Sequence, residues 1–164
     1  MRKFFFVILL EFIILSLFSC AKESKQNAES FQKPQFRHDA NLTITDPDGN
    51  LKAEFKVEIA QSENEVIRGL KHRDHMSEDQ GMLFIFEQLD YQTFWMQDTY
   101  LSLDMIFIAP DGSIVYIEEN TTPFSEEIIV PSRPNLYVLE VLAGTAEKFN
   151  IKEADIVKWQ KLQN

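Results

Sequence analysis

The chain has 164 residues, with 26 Asp and Glu against 16 Lys and Arg and a formal charge of −10. That length suits one domain with a real core and is too short for two large ones. Such acidity opposes binding to nucleic acid and to anionic lipid headgroups, and a single cysteine excludes a disulfide within the chain.

The first segment reads as a targeting signal. Arg2 and Lys3 precede an apolar run from Phe4 to Leu10, which resumes after Glu11 and continues to Phe18. A spanning helix needs about 20 apolar residues, so residues 1–19 fit a secretory signal peptide better than an anchor. The run ends at Leu17-Phe18-Ser19-Cys20, which resembles the lipobox of bacterial lipoproteins. The resemblance implies cleavage before Cys20 and lipidation of that cysteine. Cys20 would then hold the protein to a membrane of the cell envelope, at the periplasmic face or on the outer membrane. Residues 20–40 are rich in Lys, Gln, Ser and Asn and read as a flexible tether, with a single domain over residues 41–164.

Within the domain, a short strand is expected over Leu42 to Thr45, then a turn at Asp46-Pro47-Asp48-Gly49-Asn50. From Leu51 to Ala60 apolar residues alternate with Lys52, Glu54, Lys56 and Glu58, which predicts a strand with one buried and one wet face. Ser62 and Glu65 form a capping-box pattern that opens a helix through Arg68. Gly69 stops it, and Leu70 docks it to the core. A second helical turn is expected from Met76 to Gln80 and a strand from Met82 to Phe86. A loop over Glu87 to Asp90 leads to a strand from Tyr91 to Met96, a sharp turn and a strand from Leu103 to Ala109. Pro110-Asp111-Gly112 closes a hairpin onto Ser113 to Glu119. After a long loop come a strand from Asn135 to Leu142, a helix from Thr145 to Asn150 and a strand from Ile156 to Trp159. The pattern predicts an α+β domain, compact, β-rich and barrel-like, with two or three short helices.

Several of these segments carry a recognisable signature. In order they are Arg68-Gly69-Leu70, Arg73, Gly81 through Phe86, Phe94-Trp95-Met96, Thr99, Leu103-Asp104, Val138-Leu139-Glu140 and Ala143-Gly144. The sequence resembles the bacterial and archaeal family known as domain of unknown function 192, over roughly Phe55 to Val157. The resemblance implies a small β-rich fold and no established activity. It also marks departures. Asp98 stands where the family usually has Asn, Lys71 replaces an apolar residue, Ser102 stands where Pro is common, and Asn150 and Ala154 replace glycines.

Two carboxylates stand on apolar strand faces: Asp104 beside Ile106 and Ile108, Glu140 beside Leu136, Val138 and Leu142. A buried carboxylate needs a partner. Beyond the signal segment the arginines are Arg37, Arg68, Arg73 and Arg133, and arginine suits a carboxylate where water is scarce. Pairing of Arg68 or Arg73 with Asp104 or Glu140 is therefore expected. Such a pair would serve either as a clasp or as a polar pocket for an anionic or sugar-like ligand. The candidate ligand-binding residues are Arg68, Arg73, Trp95, Asp98, Thr99, Asp104, Arg133 and Glu140. The leading expectation is a non-enzymatic envelope domain that binds a small polar ligand or a protein partner. One alternative is a carbohydrate hydrolase using Asp98 and Asp104; another is a purely structural envelope protein. His72 and His75 are too few to make a metal site, and no cofactor fingerprint is present.

Overall fold

The computed structural model describes residues 35–163. The predicted signal peptide, Cys20 and most of the predicted tether lie outside the described residues. Among them, seven strands are β1 (Ala40–Thr45), β2 (Leu51–Ala60), β3 (Gln80–Asp90), β4 (Leu103–Ile108), β5 (Ile114–Glu118), β6 (Asn135–Leu142) and β7 (Ile156–Lys161). Two short helices accompany them, α1 (Glu63–Arg68) and α2 (Thr145–Lys148).

All seven strands form one sheet in the order β5-β4-β6-β3-β2-β1-β7. Neighbouring strands run antiparallel except β2 and β3, which are parallel and need a crossover. That crossover carries α1 and the 69–79 loop, and it creates the cleft described below. The domain is α+β, compact and β-rich as expected, but the sheet is not closed, so the barrel-like part of the expectation fails. Its edges meet at one end through a single bridge, Ser113 to Ile156, flanked by Ile114 N–H to Asp155 O at 2.8 Å. No ladder joins β5 to β7 along their length.

Two core clusters occupy the two faces of the sheet. Val57, Ile59, Leu83, Leu139, Val141, Ile106 and Ile108 pack on one side. Met82, Phe84, Val138, Leu103, Met105 and Phe107 pack on the other, joined by Met76 and Met96. Every methionine after Met1 lies in this second cluster. Methionine is flexible and polarisable, so this side of the core adapts its shape more readily than a β-branched one.

Four local expectations fail for identifiable reasons. β3 continues to Asp90, so Glu87 to Asp90 is strand rather than loop, and Asp90 pairs with Asn135 after an irregularity. Tyr91 to Met96 forms only a single bridge, Phe94 to Ile129, because its backbone partners Ile129 and Ser125 lie in the irregular 120–133 loop rather than in a strand. Ser77 to Gln80 is a turn, not a helix; the Gln80 side chain accepts from Ser77 N–H at 3.0 Å. Glu58, expected on the wet face of β2, is buried because the second half of β2 is covered on both sides.

Candidate functional site

The crossover begins at a well-defined helix start. The Glu65 carboxylate accepts hydrogen bonds from Ser62 N–H at 3.0 Å, Ser62 Oγ at 2.8 Å and Gln61 N–H at 3.3 Å. Those donors, the Ser62 amide first, pull its pKa down to about 2. α1 ends at Gly69, whose φ of +47° is rarely adopted by a residue with a Cβ. The chain turns there, buries Leu70 and carries Lys71 to the rim of a cleft.

This cleft has a volume of about 240 Å³ and lies between the α1 end of the crossover and the Thr93–Trp95 segment. Phe84 and Phe86 of β3 form its floor with Glu140, and Phe94 and Trp95 form a wall. The Phe94 ring meets Phe84 edge-on at 5.1 Å between centroids and Phe86 at 6.2 Å. Backbone pairing of Phe94 with Ile129 in both directions, at 3.1 and 2.8 Å, fixes that wall. Trp95 is 48% exposed, and Lys71 Nζ stands 5.7 Å from its ring centroid, within cation–π range.

Glu140 is the chemically unusual group. It is only 5% exposed, and among the described residues no side chain or backbone donor engages its carboxyl. Burial pushes its pKa up to about 8, so at neutral pH it is mainly a neutral acid. In that form it can both donate and accept a hydrogen bond. Gly81 makes its position possible: a Cβ there would stand 2.8 Å from the Glu140 carbonyl oxygen, so β3 and β6 could not approach as they do.

The expected pairing of Arg68 or Arg73 with Asp104 or Glu140 does not form, because Arg73 is taken by Glu58 and Asp104 by backbone amides. Met105 pairs with Glu140 and Asp104 with Val141, so Asp104 and Glu140 point to opposite faces of the sheet. No single arginine serves both. Asp104, 0% exposed, is held by backbone amides: Asn120 N–H at 2.8 Å and Gly144 N–H at 3.3 Å on Oδ1, Ala146 N–H at 2.8 Å on Oδ2. It ties β4 to the 119–121 loop and to the start of α2. Arg73 instead pairs with Glu58, Nη1 to Oε1 at 2.5 Å, with both side chains buried. Arg37 Nε adds a second, longer contact to Glu58 at 3.8 Å. Glu58, Met82 and Glu140 stand in one row across β2, β3 and β6, so the clasp and the unpaired acid share a face of the sheet.

Of the eight residues singled out from the sequence, Arg68, Trp95, Thr99 and Glu140 come together around the cleft. Arg73 is used by Glu58, and Asp104 by backbone amides. Arg133 lies elsewhere, bonded to Glu153 at 2.9 Å and to Val115 O at 3.2 Å. Asp98 is exposed, and its carbonyl accepts from His72 N–H at 2.9 Å. Lys71 and Glu58 were missed as site residues. Both look like ordinary solvent-facing charges in the sequence, and only the crossover brings them inward. Among the described residues no cluster of three or more His, Cys, Asp or Glu could hold a metal ion, and no helix is long and apolar enough to cross a membrane.

A model of the family described as "Uncharacterized ACR", domain of unknown function 192, matches residues 43–159. The chain belongs to this family. It is similar to a crystal structure from Sinorhizobium meliloti 1021 of a protein described as a candidate transcription regulator. The identity there is 36%, the TM-score is 0.72, and the match covers 77% of this chain and 97% of that one. It is also similar to a protein of unknown function from Novosphingobium aromaticivorans DSM 12444, at 34% identity, TM-score 0.68, and 73% and 84% coverage. No curated protein matches the chain.

The family's positional preferences now have a physical reading. Asp98, Asn150 and Ala154 all have positive φ, at 57°, 51° and 72°. Asn and Gly are the residues that tolerate this region best. The Asn expected at position 98 and the glycines expected at 150 and 154 therefore answer to backbone shape, which needs no ligand to explain it.

Proposed function

We propose that this is a lipid-anchored envelope protein whose domain binds a small polar ligand, without catalysis, in the cleft above Glu140. The carrying observation is Glu140 itself, a nearly buried carboxyl that no group among the described residues pairs and whose small remaining exposure opens into an aromatic cleft. Burying such a group destabilises the fold, and an apolar side chain would pack there at no electrostatic cost. Departures of this kind from good packing concentrate at functional sites. The cleft lies just below the usual size range for small-molecule sites, with apolar walls and a few polar groups.

The hydrolase alternative finds no support in the geometry, because both Asp104 oxygens already accept backbone hydrogen bonds within the core. The regulator description of the Sinorhizobium relative does not transfer readily either, since a charge of −10 works against phosphate backbones. Part of the structural alternative survives in the Arg73–Glu58 clasp, which leaves Glu140 unexplained.

A thermal-shift screen of small polar compounds on the full chain in detergent tests the binding reading, with Glu140→Leu run in parallel. Compounds that stabilise the wild type and not the variant are expected. Hits that stabilise both equally, or no hits at all, would overturn it. The anchor is tested separately: Cys20→Ser should remove labelled fatty acid from the protein, and label retained on the variant would refute lipidation there.

A further inference from the structure

We infer that the cleft takes a small zwitterion, with its ammonium end against Glu140 and its carboxylate or phosphate end at Arg68 and Lys71. This rests on the binding reading above and assigns the ligand's chemical class. Three features point the same way. The floor offers a buried carboxyl that lacks a cation. Phe84, Phe94 and Trp95 line the cleft, and aromatic rings attract ammonium groups. Lys71 Nζ over Trp95 shows that this wall already engages an ammonium at its outer end.

The rim has the opposite character. Arg68 and Lys71 line the cleft, and among the described residues neither has a carboxylate partner, although the chain carries ten more acidic than basic side chains. A simple cation would be repelled on entry, and a simple anion would leave the floor acid unused. A molecule with both charges satisfies both ends. At about 240 Å³ the cleft holds the equivalent of about eight waters at ~30 Å³ each, the scale of an amino acid or a small headgroup.

Binding on these terms is linked to protons. The charged groups on the side of Glu140 are Arg68 and Lys71 from the crossover and two carboxylates in its own row: Glu58 beyond Met82, already joined to Arg73, and Glu118 beyond Met105, which accepts from Tyr116 O–H at 2.5 Å. Its strand neighbours Met82 and Met105 carry no charge. An arriving ammonium therefore favours the ionised form of Glu140, which loses its proton to solvent as the ion pair forms.

The test is calorimetric titration of the full chain in detergent with three matched probes, each with four-carbon and six-carbon chains. They are the ω-amino acid, its N-acetyl derivative, which keeps only the anion, and its methyl ester, which keeps only the cation. The amino acid should bind best. At pH 7, in buffers of different ionisation heat, it should release close to one proton per site, and at pH 9 almost none. Glu140→Gln should weaken it at least tenfold and abolish the proton release. Arg68→Gln with Lys71→Gln should weaken the amino acid and leave the ester unchanged or tighter. Tight binding of the N-acetyl probe would overturn the zwitterion class while leaving the cleft reading intact. So would Glu140-dependent hits in the thermal screen combined with no binding of any probe. If neither probes nor screen give Glu140-dependent binding, both inferences fall.

Discussion

Replacing Glu140 by glutamine should change how stability depends on pH. Glutamine keeps the shape and cannot titrate. The wild-type carboxyl has a folded pKa of about 8 against an ordinary value of 4.5, with burial as the cause. The folded state therefore holds a proton that the unfolded state has already released between those two values. With more protons bound in the native state, unfolding free energy falls as pH rises. The contribution is fully present below about pH 4.5, declines through the neutral range and levels off above pH 8. Across pH 5 to 8 the change amounts to about 3 kcal/mol, at 1.36 kcal/mol per pKa unit. The carboxylates with lowered pKa values, Glu65 at about 2 among them, titrate below this window and do not mask it. Urea unfolding at four pH values between 5 and 8 measures the difference between wild type and Glu140→Gln. The variant should gain on the wild type steadily as pH rises. Parallel profiles would show that the folded carboxyl is as well solvated or paired as an ordinary one, which contradicts a raised pKa from burial.

Three further substitutions probe the surroundings. Arg73→Met strips Glu58 of its 2.5 Å partner and should cost about 3–5 kcal/mol, with much of the loss recovered by adding Glu58→Leu; a loss under about 1 kcal/mol in urea would dismiss the clasp. Trp95→Ala should cost less than about 1.5 kcal/mol, because the ring is half exposed, and should still weaken cleft binding in titrations; a loss above about 3 kcal/mol would make the ring a core element instead. Ala154→Gly should stabilise by about 0.5–1 kcal/mol by relieving a φ of 72°, and a lower melting temperature would contradict that reading.

Strand periodicity exposed most of the fold, and it did so best where one face is wet. The first half of β2 is such a case, with Ala53, Phe55 and Val57 buried between exposed Glu54 and Lys56. It misled where a strand is covered on both sides, because Glu58 then has the sequence appearance of a surface charge. The carboxylates at 104 and 140 were legible as buried groups, since each interrupts an apolar strand. Their partners were not. One residue of register separates the faces they occupy, and backbone amides, which leave no mark in the sequence, satisfy Asp104. The cleft itself arises from the path of the 61–79 crossover over β3. Only Gly69, which turns the chain, and Trp95, an indole beside polar residues, hinted at it.

The protonation of one carboxyl decides whether the cleft is a ligand site, and titration of the Glu140 side-chain carbon by 13C NMR reads it directly. The free protein should show a midpoint near 8, and any compound that stabilises the wild type but not Glu140→Leu should move it. A midpoint in the ordinary range near 4.5, or one that such compounds leave unmoved, would contradict the claim that Glu140 is the unpaired, nearly buried floor of a ligand site.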